Sequence, residues 1–345
     1  MKASKFKKFL ILPIILGVAT ASCQSRAKDP STFASNQADC RAIEHEAGET
    51  EICGQPQGIV VLGPYVLEPL LALDVQPVAY ADHLAFRQKD YDHPQAQIPY
   101  LGSMITQPIA NVGIASEPSI EVIAKIQPDL IIGLEVNTKE YDTLSQIAPT
   151  ILVDWSEPEN NLKAISQAVN RPQQVEQLLI ETEQRIKAAR KTFAPLVASN
   201  PKLLLLSSSQ LQEINLGNFN HGTCSSLIEE LGFQLISSPE LNNTEPNTIV
   251  PISIETLPQF NQADSVVMLG SNFSEREELD NFESHQLSKI KQAWSENEIA
   301  QSLDASQAGR VYFIPAYLCL GLTGAIGTKL YLEELEKQLI PPQYN

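Results

Sequence analysis

The 345-residue sequence predicts an α/β protein in which two parallel-sheet, Rossmann-like lobes are joined by one long linker helix, with a ligand cleft between the lobes. Three observations predict this fold. Short apolar runs alternate with helical stretches, as in parallel sheets that carry helices on both faces. A pattern at residues 118–133 returns at residues 252–270, and a long helical stripe lies between the two copies.

The chain begins with the pattern of an export signal. Four lysines precede about twelve mostly apolar residues, and small residues then lead to Cys23. The apolar run is too short to cross a bilayer as a mature helix. The segment TASC resembles a bacterial lipobox, although threonine replaces its usual leucine. We expect a signal peptide over 1–22, a lipid on Cys23 and a flexible tether over 23–39, with plain secretion or an uncleaved anchor as alternatives.

An N-terminal α/β lobe is predicted over residues 40–160. Its elements, in order, are a strand, a Gly-Pro turn and a helix in GIVVLGPYVLEPLLALDV, a strand in PVAYAD, a helix in SIEVIAKIQ, a strand in DLIIG, a helix in TKEYDTLSQIA and a strand in TILVDW. The stretch 83–103 has no clear period, which makes it a candidate ligand loop.

A long helix is predicted within the connecting segment 161–199. Pro172 suits the first helical position, and apolar residues continue from Val175 to Ala189 at helical spacing. Over residues 172–193 the helix would be about 33 Å long. Periodicity alone equally allows a surface helix of one domain, but the position between the two copies of the repeated pattern favours a linker.

The C-terminal α/β lobe is predicted over residues 200–345. Its elements, in order, are a strand in KLLLLSSS, a helix in GTCSSLIEELG, a strand in QLISS, a helix in ISIETLPQF, a strand in DSVVMLG, a polar helical region over 274–308, a strand in RVYFIP and a closing helix in GAIGTKLYLEELEKQL.

The repeated pattern places the same two acidic residues in each half. PSIEVIAKIQPDLIIG and ISIETLPQFNQADSVVMLG each carry a glutamate near the start of a helix, Glu121 or Glu255. Each also carries an aspartate directly before a buried strand, Asp129 or Asp264. The halves share a pattern rather than an identity, so the duplication is architectural.

The composition is acidic, with 41 Asp and Glu against 24 Lys and Arg. Removal of residues 1–22 takes away four lysines and moves the formal net charge from −17 to −21. This charge repels phosphate polymers, so nucleic acid is not expected as a partner. A role in solubility is the simplest interpretation of the charge.

Four cysteines remain beyond Cys23, and an even number outside the cytoplasm favours disulfides. Three pairings are open from the sequence. Cys40 and Cys53 bracket a short polar segment and are the easiest pair to close. No C-x-x-C or paired-histidine spacing indicates a zinc site.

Several segments together resemble the substrate-binding lipoproteins of ABC importers for ferric siderophores and cobalamin. The segments are GIVVLGPYVLEPLLALDVQPVAYAD, IPYLGS, EPSIEVIAKIQPDLIIG, the helix from Pro172, GTCSSLIEELGFQLI, SIETLPQFNQADSVVML and GRVYFIP, over residues 55–340. The lead segment around Cys40 is most similar to the ferric-siderophore branch. The resemblance implies a monomer of the periplasm or cell envelope, lipid-anchored to a membrane, that binds an iron chelate and has no intrinsic cofactor.

The resemblance also gives the repeated glutamates a role. In this family each lobe presents one glutamate to an arginine-bearing pocket on the importer's membrane subunits, and Glu121 and Glu255 occupy those positions. The alternative is that each glutamate favours a helix N-terminus, with Ser119 and Ser253 as caps. One departure from the family is Cys319, where relatives often have tryptophan; it implies either a disulfide with Cys224 or two buried thiols.

Residues just past the predicted strands are the ligand-binding candidates, because open α/β sheets bind ligands at the carboxyl ends of their strands. A bulky, anionic ferric chelate calls for aromatic walls and one or two arginines. The predicted ligand-binding residues are Tyr65, Phe86, Arg87, Trp155, His221, Phe273, Arg276 and Tyr317. For each aromatic, packing on its own lobe is the alternative.

Other function classes have weaker support. The five histidines are scattered, and no H-x-x-x-H, G-x-S-x-G or glycine-rich phosphate loop occurs, so no catalytic residues and no enzyme activity are predicted. Direct metal capture needs converging His and carboxylate ligands, and His83 with His221 across the cleft is the remaining route to it; no resident metal is predicted. Cobalamin or haem binding by the same fold is the other alternative.

Overall fold

The computed structural model describes residues 39–83, 89–216, 223–236, 250–272 and 281–340, and these residues belong to one compact unit. The chain enters this part of the molecule through a hairpin. Strands β1 (Cys40–His45) and β2 (Gly48–Cys53) are antiparallel, and a disulfide joins Cys40 to Cys53. The sequence pattern does not predict the hairpin, because only Ile43 and Ile52 of its residues are buried.

The first sheet has six strands. They are β3 (Ile59–Leu62), β4 (Ala79–Asp82), β5 (Ala110–Ile114), β6 (Glu117–Pro118), β7 (Leu130–Leu134) and β8 (Thr150–Val153). Their order is β6-β5-β4-β3-β7-β8, and all neighbours are parallel except β5 and β6. Every residue of β3, β4, β7 and β8 is buried, as the continuous apolar runs predict.

Helices cover both faces of this sheet. They are α1 (Pro64–Ala72), α2 (Pro94–Gln97), α3 (Ile120–Ile126), α4 (Tyr141–Ser145) and α5 (Pro158–Ala168). Between β3 and α1, Gly63 has a φ of 116°, which favours glycine and lets the chain turn at once from strand to helix. The helix predicted in TKEYDTLSQIA is instead a 3-10 helix, Glu135–Lys139, followed by α4.

One long helix, α6 (Gln173–Ser199), connects the first sheet to the second. Its 27 residues span about 40 Å. The helix continues past Pro195, beyond the predicted end near residue 193. Its last turns are held by the second lobe, where Phe193 is fully buried and its ring lies 6.0 Å from the ring of Phe233. The described residues contain no helix that is both long enough and apolar enough to cross a bilayer.

The second sheet is mixed. Its strands are β9 (Lys202–Ser208), β10 (Ile214–Leu216), β11 (Gln234–Leu235), β12 (Val250–Ile252), β13 (Ser265–Gly270) and β14 (Val311–Pro315). β9 pairs in parallel with β11 and β13, and β13 with β14. β10 runs antiparallel to β9 and to β12, and this antiparallel edge is not predicted by the sequence pattern. The predicted α/β fold with parallel sheets and a connecting helix is confirmed.

Helices of the second lobe include a 3-10 helix where the sequence predicts an α-helix. The α-helices are α7 (Cys224–Glu230), α8 (Phe282–Glu296), α9 (Glu298–Ser302), α10 (Asp304–Gln307) and α11 (Ala325–Leu339). ISIETLPQF forms the 3-10 helix Ile254–Phe260, because Pro258 has no N–H for an α-helical bond. A π-helix, Tyr317–Gly321, carries Cys319, and a disulfide joins Cys319 to Cys224 of α7.

The aspartates of the repeated pattern have the same structural role in both lobes. The carboxylate of Asp129 accepts hydrogen bonds from the backbone N–H groups of Gln57 (2.9 Å) and Gly58 (2.9 Å), just before β3. The carboxylate of Asp264 accepts one from the N–H of Lys202 (2.8 Å), at the start of β9. Each aspartate precedes the strand that pairs with β3 or β9, so it ties together the starts of two neighbouring strands.

Candidate functional site

A pocket of about 250 Å³ lies at the carboxyl-terminal edge of the first sheet. Its lining residues end or follow five different strands: Tyr65 after β3, His83 after β4, Ala115 and Ser116 after β5, Leu134 and Val136 at the end of β7, and Trp155 after β8. Open α/β sheets bind ligands at this edge. This pocket is therefore the candidate ligand site.

Two predicted aromatic residues form one wall of the pocket. Tyr65 is in the first turn of α1, and Trp155 follows β8; their ring centroids are 6.1 Å apart and the rings are tilted by 51°. Both side chains are partly exposed. An apolar ring pair with a hydroxyl at its edge suits a ligand that has both aromatic and polar parts.

The polar group beside this wall is Glu135. Its carboxylate accepts a hydrogen bond from the backbone N–H of Trp155 at 3.3 Å. Burial raises the pKa of Glu135, and the nearby charge of Asp154 raises it further. Burial together with the charge of Glu135 raises the pKa of Tyr65 to about 12. The Tyr65 hydroxyl is thus protonated at neutral pH and can donate a hydrogen bond to an anionic ligand.

Asn137 holds the loops of the pocket in place. Its side chain is fully buried; Nδ2 donates to the carbonyl of Ala115 at 2.6 Å, and Oδ1 accepts from the N–H of Leu134 at 3.1 Å. These bonds tie the end of β7 to the loop after β5. A Cβ on Gly133 would lie 2.8 Å from Oδ1 of Asn137, so the close approach requires glycine there.

His83 contributes a polar edge to the pocket. Its Nδ1 lies 3.0 Å from Oδ1 of Asp82, which is 2% exposed at the end of β4. The carboxylate thereby orients the imidazole. The sequence also suggests His83 as one half of a metal pair with His221, but His221 lies outside the described residues.

Tyr317, a predicted ligand contact, is fully buried in this structure. It packs in an aromatic cluster that joins the lobes, with ring centroids 5.2 Å from Phe282, 5.8 Å from Tyr100 and 5.5 Å from His83. Burial raises the pKa of Tyr317, and so does the charge of Asp82. In this arrangement Tyr317 packs between the lobes and offers no open surface to a ligand.

The remaining predicted contacts fall outside the residues that the structure describes. These are Phe86, Arg87, His221, Phe273 and Arg276, together with the lipidation candidate Cys23. Their roles stay predictions. Within the described part of the chain, the one group of three potential metal ligands is Cys40, Glu51 and Cys53, whose two thiols are joined as a disulfide.

Sequence reasoning missed Val136 and the pair Ala115 and Ser116. Val136 is 51% exposed and lines the pocket. The rule that found Tyr65 and Trp155, a residue just past a buried strand, also finds Val136 when it is applied to DLIIG. Ala115 and Ser116 follow β5, a strand without a clear apolar run, so no comparable signal marks them.

The two repeated glutamates are exposed at equivalent places. Glu121 is the second residue of α3, its side chain is 82% exposed, and its carboxylate pairs with Lys125 at 2.9 Å. Glu255 is the second residue of its 3-10 helix and is exposed; its own backbone N–H and the Ser253 hydroxyl lower its pKa. Ser119 and Ser253 occupy the N-cap positions without a capping hydrogen bond from either side chain, and both glutamates lie in the first turn of their helices, where the helix dipole favours them.

The family model described as "Periplasmic binding protein" matches residues 59–318, which include both sheets, the long helix and the pocket. The chain belongs to the periplasmic binding protein family. This confirms at the family level the resemblance seen in the sequence. The residues that line the candidate ligand site all lie within the matched segment.

Two curated relatives cover nearly the whole chain. A putative ABC transporter substrate-binding lipoprotein of Bacillus subtilis, YhfQ, is 26% identical over 96% of this chain and 98% of its own length. The Fe(3+)-citrate-binding protein YfmC of the same organism is 26% identical over 90% of each chain. Both similarities extend across the two lobes and the helix between them.

Solved structures share the fold of this periplasmic binding protein. SirA of Staphylococcus aureus, complexed with staphyloferrin B, has a TM-score of 0.66 and 22% identity, covering 86% of this chain and 97% of its own. FeuA of Bacillus subtilis, complexed with ferri-bacillibactin, has a TM-score of 0.64 and 20% identity, covering 87% and 98%.

Proposed function

We propose that this periplasmic binding protein captures a ferric siderophore and delivers it to the membrane subunits of an ABC importer. The observation that carries the proposal is the aromatic-walled pocket at the ends of five parallel strands, in a chain of this family. The names of its relatives support the cargo class, since YfmC binds ferric citrate and the structures of SirA and FeuA hold siderophores.

The chemistry of the pocket suits an iron chelate. Tyr65 and Trp155 offer ring faces to the organic part of a siderophore, and the protonated Tyr65 hydroxyl can donate to a chelate oxygen. Glu135 adds negative charge near this wall, so an anionic chelate needs cations from elsewhere in the cleft. We assign that role to Arg87 and Arg276, with Phe86, His221 and Phe273 as further contacts.

Delivery to the importer would use Glu121 and Glu255. Both carboxylates are exposed, and each sits at the start of the helix before a central strand of its lobe. Two carboxylates at equivalent places on the two lobes match a permease built from two similar subunits. The ion pair of Glu121 with exposed Lys125 contributes little to stability and can be exchanged for an arginine of the partner.

The protein would reach the importer from a lipid anchor. Cleavage after residue 22 leaves Cys23 as the lipid-modified end, and residues 23–39 form the tether to a monomeric body of two lobes. Its role is binding and transfer, without catalysis. Mass spectrometry of the protein from membranes checks this arrangement: we expect an N-terminal peptide that starts at a diacylated Cys23, and an unmodified peptide starting elsewhere would contradict it.

Tryptophan fluorescence tests the proposed cargo. The mature protein is titrated with ferric hydroxamate, citrate and catecholate chelates, and with cobalamin, haemin and zinc as controls. We expect saturable quenching by one ferric chelate class. The chain has two tryptophans, and Trp294 is buried in the second lobe with its Nε1 bonded to Ser306. Quenching should therefore persist in Trp294→Phe and disappear in Trp155→Phe.

The controls decide between the candidate cargoes. Saturation by cobalamin or haemin alone, or by zinc alone, would contradict the ferric-siderophore proposal. Quenching lost in Trp294→Phe but retained in Trp155→Phe would instead place the ligand away from the described pocket.

A further inference from the structure

A buried carboxylate connects the two lobes at a second place besides the linker helix. Glu68 lies on α1 of the first lobe and is 1% exposed. Its Oε2 accepts a hydrogen bond from the backbone N–H of Gly324 at 2.8 Å, and its Oε1 accepts one from the N–H of Gly327 at 2.8 Å. Gly324 and Gly327 belong to the start of α11, which follows the last strand of the second lobe.

Through these two bonds, a side chain of the first lobe accepts from backbone N–H groups at the N-terminus of α11. Gly324 is the N-cap residue of this 15-residue helix and Gly327 is its third helical residue, so their N–H groups have no carbonyl partner within the helix. A carboxylate at this end also interacts favourably with the helix dipole. Helices are usually capped by a neighbouring side chain of their own segment, whereas this cap comes from 256 residues earlier in the chain.

The start of α11 is shaped to receive the carboxylate. A Cβ on Gly324 would lie 3.0 Å from Oε1 of Glu68, and a Cβ on Gly327 would lie 1.9 Å from the carbonyl oxygen of Leu322. A side chain at position 327 would collide with the backbone, and a methyl group at position 324 would press on the Glu68 carboxylate. Burial raises the pKa of Glu68, and the backbone N–H groups of Gly327 and Gly324 act against this by favouring the charged form.

The hydrogen bonds between Glu68 and the start of α11 lie close to the candidate ligand site. Tyr65 and Glu68 are three residues apart in α1, which puts them on one face of the helix. A second cavity, between α1, α5, α6 and α11, is lined by both of these residues and by Thr323 and Gly324. Any rotation of α11 relative to α1 therefore changes the position of Tyr65 relative to the second lobe.

We propose that Glu68 is a positioning residue that fixes how far the ligand cleft is open, by clamping α1 to the N-terminus of α11. The inference rests on the proposed function, since it assigns Glu68 to the same cleft. With the clamp in place the two walls of the cleft are held ready for the ligand, and little ordering is needed on binding. Without it the lobes sample a wider range of angles.

Hydrogen exchange of the wild-type protein gives the first test, and it needs no ligand. The N–H groups of Gly324 and Gly327 should exchange as slowly as those in the middle of α11, because Glu68 protects them. First-turn amides without such a partner exchange fast. Fast exchange at both glycines would overturn the clamp without any substitution.

Two variants disturb the clamp from opposite sides. Glu68→Gln keeps the size but presents an NH₂ group to backbone donors, and Gly324→Ala places a methyl group against the carboxylate while Glu68 stays unchanged. Gly324 has a φ of −98°, which alanine adopts without strain. The control is Glu159→Gln, an exposed carboxylate that lines the same cavity.

Three readouts are compared. We expect at least tenfold faster exchange at residues 324–327 in both variants, and a broader distance distribution between spin labels at Lys139→Cys in the first lobe and Lys289→Cys in the second. Affinity for the ferric chelate identified by fluorescence should fall on the order of tenfold. Glu159→Gln should change none of these.

The outcomes separate the clamp from the proposed function. Unchanged exchange and distances in both variants would refute the clamp, whatever the ligand result. If the wild type binds no ferric chelate while both variants broaden the distance distribution, the proposed function fails and the clamp stands. If the variants broaden the distribution but bind as tightly as the wild type, Glu68 joins the lobes without positioning the ligand site, and the inference is wrong.

Discussion

At the scale of single residues, Asp129 and Asp264 show what the repeated pattern preserves. Each carboxylate accepts backbone hydrogen bonds at the start of the neighbouring strand, so each one sets the register between two central strands. The hydrogen bonds that Asp129 accepts from Gln57 and Gly58 are exposed to solvent, so water competes for them. Their contribution is correspondingly modest.

Asp129→Ala and Asp264→Ala should each lower the free energy of unfolding by about 1 kcal/mol, because a charge-assisted hydrogen bond to the backbone is lost at a strand start. Urea unfolding followed by circular dichroism measures the change. Glu229→Ala, at an exposed position of α7, is the control and should lie within about 0.5 kcal/mol of the wild type. Equal effects of all three substitutions would contradict the role in strand pairing.

Residues of the candidate site differ in how far the sequence could predict them. Tyr65 and Trp155 line the pocket, and each lies within three residues of the end of a buried strand whose apolar run is visible in the sequence. The burial of Tyr317 depends on Tyr100 and Phe282, which come from distant segments of the chain. No local pattern records that contact.

At the scale of elements, the buried strands and main helices follow from the sequence, and the short edge strands do not. β5 reads ANVGI, with only Val112 fully buried and Gly113 at a φ of 97°. β10 has three residues, too few for a two-residue period to be recognised. These strands are held by hydrogen bonds to neighbouring strands, and no apolar period of their own marks them in the sequence.

The hairpin of β1 and β2 is attached to the first sheet through His45. Nδ1 of this histidine accepts a hydrogen bond from the backbone N–H of Leu152 at 3.3 Å, and Nε2 is 2.9 Å from Oγ1 of Thr50. An imidazole that accepts at Nδ1 must be unprotonated there. Burial lowers the pKa of His45 below its usual value of about 6.5.

This lowered pKa predicts a pH dependence of stability. Neutral His45 contributes to the free energy of unfolding, and this contribution is fully present above about pH 6.5. It is lost as the pH falls through the lowered pKa of the folded state, because the unfolded chain binds the proton more readily than the folded chain does. We expect the loss of unfolding free energy between pH 7.5 and 5.5 to be smaller in His45→Gln than in the wild type. His93→Gln changes an exposed histidine and should lose as much unfolding free energy as the wild type over this range. An equal loss in all three proteins would contradict the assignment of the pH dependence to His45.

At the scale of the whole molecule, the lobes are joined by more than the linker helix. The aromatic cluster of Tyr100, Phe282 and Tyr317 packs between the lobes at one place. At another place, Glu68 of the first lobe accepts hydrogen bonds from the start of α11 in the second lobe. A binding protein joined in this way should open and close by a few degrees, since a wide hinge motion would break these buried contacts. Solution scattering that shows a large compaction on ligand binding would contradict this expectation.

The exposed carboxylates Glu121 and Glu255 provide a test of delivery that is independent of capture. In cells that rely on this protein for iron, the double variant Glu121→Ala and Glu255→Ala should reduce uptake of the radiolabelled ferric chelate by tenfold or more while its affinity for the chelate stays unchanged. The reason is that both lobes would lose their anionic contact with the importer. Glu229→Ala should leave uptake normal, and unaffected uptake in the double variant would rule out these two residues as the docking contacts.

The most direct test of the central claim is calorimetric titration of the mature protein with the ferric chelate that quenches Trp155, compared with Tyr65→Ala. We predict one site per chain, and an affinity at least tenfold weaker in Tyr65→Ala, because the variant loses a ring face and a hydroxyl donor of the pocket. Tyr141→Ala, which removes a tyrosine that contacts His45 at the hairpin, is the control and should bind as the wild type does. Equal affinities for the wild type and Tyr65→Ala would show that the pocket at the ends of the first-lobe strands does not bind the iron chelate.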